Sequence, residues 1–247
     1  MAAGQQLGDP WKRWWDFLGE EGSWREDATK RSRVHTRLLR FSSAHWDQPA
    51  WIDAVVSGLA RGKSLVEAGV RWADPAVGQR SNSSITETDR FRGDQWRLVV
   101  AYGGFQTFVK ALMGVQRGIR LEPALVDRFI ERARPIAYPG LPSPKVRDAD
   151  LEDPFRAPLT DITHPLLVFL DLSWASTRSL YRWLVEGRSI ETWTRAMRLA
   201  RALRDATAHG ALSASRAKQW QLRPGLRALT DHIGQLVAAA LAELMRD

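Results

Sequence analysis

Three short stretches of the chain place an arginine and a histidine with four residues between them. They are RFSSAH (Arg40 to His45), RDATAH (Arg204 to His209) and RALTDH (Arg227 to His232). The pairing matters because a guanidinium can hold a phosphate and an imidazole can move protons near neutral pH. The spacing alone is weak evidence. With five histidines in an arginine-rich chain of 247 residues, chance would supply roughly one such pair, so context must separate the three.

RALTDH lies inside an apolar helical pattern. Residues five apart on a helix point about 140° away from one another, so Arg227 and His232 diverge. RFSSAH falls where a basic helix gives way to HWDQP and has no carboxylate inside the motif. RDATAHG differs from both. His209 falls in the last turn of an expected helix that Gly210 stops, and the partial negative charge of a helix C-terminus complements an imidazolium. Asp205 lies four residues before His209, on the same face, within reach of a ring nitrogen. Ala206, Thr207 and Ala208 are small and leave room for another backbone. The same residues also describe an ordinary helix end carrying a surface Arg, Asp and His.

Other chemistries find little support. GLARGKS (Gly58 to Ser64) imitates a phosphate loop, but that motif requires four residues between its glycines and a preceding strand, and neither is present. No His-Glu-x-x-His helix, calcium loop or Gly-x-Ser-x-Gly elbow occurs. Asp205 and His209 are too few to argue for a metal, so no metal or cofactor is expected. The chain has no cysteine and hence neither disulfide nor Cys-ligated zinc. Its twelve tryptophans could stack bases, but Trp11, Trp14 and Trp15 fit a helical stripe with Leu18, so core packing is the expectation for most.

The elements that must position Arg204 and His209 are helical nearly throughout. Apolar periodicity predicts helices around Trp11–Leu18, Ala50–Ala60 and, capped by Ser64, the SLVEAGVRWA stretch. A loop is expected at DPAVGQRSNSSITET, then a long helix over Asp89–Arg117 and another behind Glu122 and Pro123. Later helices cover PLLVFLDLSWASTRSLYRWLVEG with a break near Ser173, the stretch from a Ser189 cap to Gly210, and RPGLRALTDHIGQLVAAALAELM. Between Arg134 and Pro165 seven prolines forbid a continuous helix. That segment reads as a lid, a partner-binding arm or a disordered insertion. The fold class expected is an all-α helical bundle with an N-terminal helical extension over residues 1–80 and a main helical domain over 81–247 that carries the insertion at 134–165. The net charge of +8 and a pI of about 10.4 favour polyanionic partners such as RNA, DNA or anionic lipid. No apolar run is long enough for a membrane span, and the opening MAAGQQLGDP lacks the pattern of a signal peptide. A soluble cytoplasmic protein is the expectation.

LRDATAHG resembles the Arg-x4-His signature of the HEPN superfamily, helical domains that include RNA-cutting toxins and defence nucleases. Asp205 stands where a polar residue follows the Arg, Ala208 is the small residue before the His, and a short linker leads to a final apolar helix. The resemblance spans roughly Asp89 to the C-terminus. It implies a metal-independent endoribonuclease acting as a homodimer, with Arg204 holding the phosphate, His209 moving protons and Asp205 setting the imidazole. It further implies a toxin or antiviral effector restrained by an antitoxin or other partner. Ala211 stands where some small HEPN toxins carry a modified Tyr, so that mode of control is not implied. The competing readings are a HEPN-like interaction module without catalysis and a nucleic-acid-binding helical protein using scattered arginines.

Overall fold

The computed structural model describes residues 3–22, 24–72, 86–115 and 119–246. It is all-α. Eleven α-helices and one 3-10 turn occur among the described residues, which form no strand. An isolated antiparallel bridge joins Leu141 to Ile190. The residues group into two compact units: Met1–Val70 with Gly103–Ile136 and His232–Asp247, and Arg71–Tyr102 with Ala137–Asp231. The boundary expected between 80 and 81 falls at 73–85, outside the described residues, as does most of the loop expected there.

The first unit contains α1 (Ala3–Glu20), α2 (Ala28–Leu39), α3 (Pro49–Val70), the C-terminal part of α4 (Glu87–Leu112), α5 (Pro123–Ala133) and the C-terminal part of α11 (Arg223–Leu244). The tryptophan stripe of α1 is realised only in part. Trp14 and Leu18 are buried whereas Trp15 is exposed. Asp27 caps α2 by accepting from the Thr29 and Lys30 amides, and Pro123 opens α5 at a position where a missing N–H costs nothing. The two helices expected at Ala50–Ala60 and after Ser64 are one. Ser64 lies within α3 and does not cap a new helix.

The reason is a seam of small residues. A Cβ placed on Gly62 would come within 2.6 Å of the Phe108 amide nitrogen and 2.8 Å of the Gly104 carbonyl oxygen, and one on Gly104 within 2.6 Å of the Val66 nitrogen. A Cβ on Gly58 would lie 2.7 Å from that of Ala111. The glycines of GLARGKS therefore let α3 and α4 meet backbone to backbone. They sit mid-helix, where no phosphate-cradling loop exists. Helix α4 begins two residues earlier than expected because Thr86 and Asp89 cap each other: the Asp89 amide donates to Thr86 Oγ1 and the Thr86 amide to Asp89 Oδ2, both at 3.2 Å.

The second unit contains the N-terminal part of α4, α6 (Asp153–Arg156), α7 (Pro165–Leu170), α8 (Trp174–Leu184), α9 (Trp193–Ala208), α10 (Ala214–Gln219) and the start of α11. The break near Ser173 is present: Asp171 turns left-handed and Ser173 caps α8. Ser189 is not the cap of α9. Thr192 takes that place, its Oγ1 accepting from the Arg195 amide, because Ile190 is held in the bridge to Leu141 by bonds of 2.9 and 2.8 Å.

The proline-rich stretch is a packed strap in its 137–165 portion. Leu141, Leu151 and Phe155 are buried in it. Its mostly irregular backbone leaves carbonyls open, and side chains from later elements take them up. Trp183 Nε1 donates to Pro142 O at 2.9 Å, Trp220 Nε1 to Asp150 O at 3.1 Å, and the Tyr181 hydroxyl to Ala157 O at 2.9 Å. Buried indoles and phenols need such partners, so each bond satisfies both groups. This portion has the contacts of core structure, in contrast to the lid or arm expected from its prolines.

Candidate functional site

The RDATAHG stretch ends α9, and its local chemistry explains why. His209 is the C-cap, with φ −84° and ψ 0°, and its amide donates to Asp205 O at 3.0 Å. Gly210 follows at φ +78°, a left-handed conformation that glycine adopts without strain. The Gly210 amide donates to Thr207 O and the Leu212 amide to Ala206 O, closing the turn. Gln95, buried on α4, fastens the tip from below. Its Nε2 donates to Leu212 O at 2.8 Å and to Thr207 Oγ1 at 3.3 Å. Thr207 and Ala206 are buried, whereas Ala208, His209 and Gly210 are exposed.

Arg204 and Asp205 sit one turn lower and are half-buried. Arg204 Nη1 lies 2.8 Å from Asp205 Oδ1, and Arg201 Nε lies 3.6 Å from Asp205 Oδ2. The Arg204 guanidinium also lies over the Tyr102 ring, 5.1 Å from its centroid. Burial pushes the Tyr102 hydroxyl up to about 12, against the opposing pull of the Arg201 and Arg204 charges. Tyr102 is therefore neutral at physiological pH and offers Arg204 an aromatic face. The structure thus gathers Arg201, Arg204, Asp205 and Tyr102. Asp205 is paired with arginines rather than with His209, whose side chain makes no hydrogen bond or ion pair among the described residues. His209 keeps a near-helical backbone, so within one chain its side chain and that of Arg204 leave the helix on azimuths about 140° apart.

The other two Arg-x4-His pairs have structural work. His45 is buried, its Nε2–H donating to Leu112 O at 2.7 Å while Nδ1 accepts from Trp51 Nε1 at 3.4 Å. Because a carbonyl only accepts, this fixes the neutral tautomer protonated at Nε2, and burial lowers the pKa of the ring. Arg40 donates to the carbonyls of Glu243 and Arg246. His232 is buried, and desolvation drives its pKa down to about 4. Arg227 is bound through Nε to Asp94 at 2.8 Å. Of the three histidines, His209 alone is exposed.

Sequence reasoning missed Tyr102 and Gln95. Both lie over a hundred positions away from the motif, and no local spacing announces them. Arg201 was legible in principle, four residues before Asp205 on the same face. No group of three or more His, Cys, Asp or Glu among the described residues could hold a metal ion, and no described helix is long and apolar enough to cross a membrane. Compared with known proteins, the chain matches no family model, no curated protein and no solved structure.

Proposed function

We propose that the protein cleaves RNA without a metal ion, with His209 as the proton-transfer group and Arg204 as the phosphate-binding group, each cleft assembled from two copies of the chain. The observation that carries this reading is the fate of the three Arg-x4-His pairs. Two of their histidines are consumed by burial, and His209 is left exposed on a fastened helix tip. The 2′-hydroxyl oxygen of a ribose attacks the adjacent phosphorus and loses its proton to one imidazole. The 5′-oxygen leaves and takes a proton from the second imidazole, giving a 2′,3′-cyclic phosphate and a 5′-hydroxyl. The arginines bind the negative charge that grows on the phosphoryl oxygens. The 140° divergence of Arg204 and His209 makes a second copy necessary, since a two-fold axis brings two of each to one phosphate. A free ribonuclease is harmful to its host, so the reading includes a role as toxin or antiviral effector and a restraining partner protein.

The test is a paired assay of wild type and His209→Ala on total RNA in EDTA, with end-group analysis. Wild type is expected to yield cyclic-phosphate ends, and His209→Ala to cut about 10²–10⁴-fold more slowly. Absence of cutting by saturating wild type, or equal cutting by the variant, removes the proposal. A second reading is favoured by one specific observation: Asp205 already pairs with both Arg201 and Arg204, as in a structural helix-face cluster. In that case the tip belongs to a non-catalytic interaction module, and Arg204→Ala lowers stability while cleavage is absent from both proteins.

A further inference from the structure

Asp94 has a role that the proposed cleavage chemistry does not use. It lies on α4 with a fully buried side chain that is met by three arginines. A buried carboxylate is tolerable only with strong partners. Its Oδ2 accepts from Arg223 Nε at 2.7 Å and its Oδ1 from Arg227 Nε at 2.8 Å, with Arg97 Nη1 at 3.5 Å. Arg223 and Arg227 are both gripped at Nε. Their terminal Nη groups make no hydrogen bond to any described residue, and both side chains remain partly exposed, 26% and 43%. The Arg223 guanidinium is further braced over the Phe91 ring, 6.0 Å from its centroid.

Two guanidiniums are thereby fixed one helical turn apart on the first two turns of α11, with their Nη groups unspent. Residues four apart on a helix have Cβ atoms about 5–6 Å apart, so each fork can grip its own phosphate along one strand. The helix start adds partial positive charge. Glu87, an acid on which the charges of Arg223 and Arg90 act, is ion-paired to Lys218 at 2.7 Å. Asp231 completes the neighbourhood, with burial raising its pKa against the charges of Arg97 and Arg227.

We infer that Arg223 and Arg227, held by Asp94, form a phosphate-binding clamp for the backbone of single-stranded RNA. Partly exposed forks on a helix surface suit a strand laid across them, and a net charge of +8 favours a polyanion over an isolated anion. The clamp binds whether or not the chain cleaves RNA.

The test uses a short fluorescent 2′-O-methyl oligouridylate, which has no free 2′-hydroxyl and cannot be cut by 2′-hydroxyl attack. Its failure is therefore distinct from failure of the nuclease reading. Binding is followed by anisotropy over a salt series. Each phosphate contact on a single strand contributes about 0.7 to the slope of log affinity against log salt. Arg223→Gln with Arg227→Gln should flatten the slope by about 1.4 and weaken binding about 25-fold at about 0.1 M salt. The double Lys variant keeps the charge but loses the fork and the Nε anchor, and should recover only part of the affinity. Circular dichroism and melting report folding. Should the double Gln variant not fold, the more exposed Arg227→Gln alone should flatten the slope by about 0.7. An unchanged slope, full recovery with lysine, or no binding by wild type overturns the clamp. Displacement of the oligonucleotide by millimolar inorganic phosphate at constant ionic strength assigns the site to free phosphate and overturns the RNA assignment.

Discussion

Gly103 and Gly104 are neighbours in the middle of α4, and replacing each with alanine should move stability in opposite directions. Any Gly→Ala change inside a helix gains about 1 kcal/mol from reduced backbone freedom in the unfolded chain. At Gly103 nothing lies within 4 Å of the new Cβ, so that gain stands alone. At Gly104 the new Cβ would come within 2.6 Å of the Val66 nitrogen and 2.7 Å of the Gly62 carbonyl oxygen. Ordinary carbon contacts need roughly 3.5–4.0 Å, and backbone on a facing helix cannot swing aside as a side chain can. Helices α3 and α4 must separate along a seam that also holds Gly58 and Gly62. Overpacking of this kind costs about 1–3 kcal/mol, occasionally more, and rigid backbone on both sides points to the upper end. The net expectation is a loss of about 2 kcal/mol for Gly104→Ala against a gain of about 1 for Gly103→Ala. In a domain of this size each kcal/mol moves Tm by about 2–4 °C, so calorimetry should find the two variants about 6–12 °C apart. If Gly104→Ala melts at or above Gly103→Ala, the seam is not as close as described, and the continuity of α3 through GLARGKS loses its explanation.

Two further outcomes are expected. His232 has a folded pKa near 4 because burial disfavours its charge. The unfolded chain then binds the proton more tightly, so its contribution to stability is complete above about 6.5 and is lost as pH falls through that value toward 4. The loss reaches about 3 kcal/mol; His232→Gln should flatten the stability–pH curve over this window, and an equally steep curve in the variant would refute the assignment. Gln95→Leu removes both bonds that hold the α9 tip and leaves the Leu212 carbonyl without that donor. Urea denaturation should show a loss of about 1–3 kcal/mol, and unchanged stability would mean that the tip is fastened by other contacts.

Much of the helical architecture could be read from periodicity because it is local. Pro123 behind Glu122, the break at Ser173 and the stop at Gly210 are signals carried by residues at the helix ends themselves. The misreadings share one physical origin. Ser64 looks like a cap only if Gly62 is taken as a break, and it is the distant Gly104 and Phe108 that make Gly62 a contact point. Ser189 looks like a cap until Ile190 is tied to Leu141. The prolines before Pro165 look like those of a free arm until Trp183 and Trp220 are seen donating to the carbonyls between them. Burial decides the candidate site in the same way. His45, His209 and His232 carry identical spacing from an arginine, and only the Leu112 carbonyl and the packing around His232 separate them from His209.

The basic composition needs the same correction before it can be used as evidence for a polyanion partner. Many arginines are engaged within the protein: Arg37 and Arg40 bind carbonyls at the end of α11, Arg132 binds the Arg40 carbonyl, and Arg25 and Arg33 pair with Asp53 and Glu21. Arg37 and Arg40 spend Nη1 on carbonyls at a helix end that carries partial negative charge, whereas Arg223 and Arg227 spend Nε on Asp94 at a helix start and keep both Nη groups. Total charge sets how strongly a polyanion is drawn to the surface, but the local field and the N–H donors left on each guanidinium decide how well it grips what arrives. On that criterion the +8 charge does not act evenly over the molecule. Arg223 and Arg227 are better placed than Arg37 or Arg40, and a salt-slope series on each pair of alanine variants should rank them in that order.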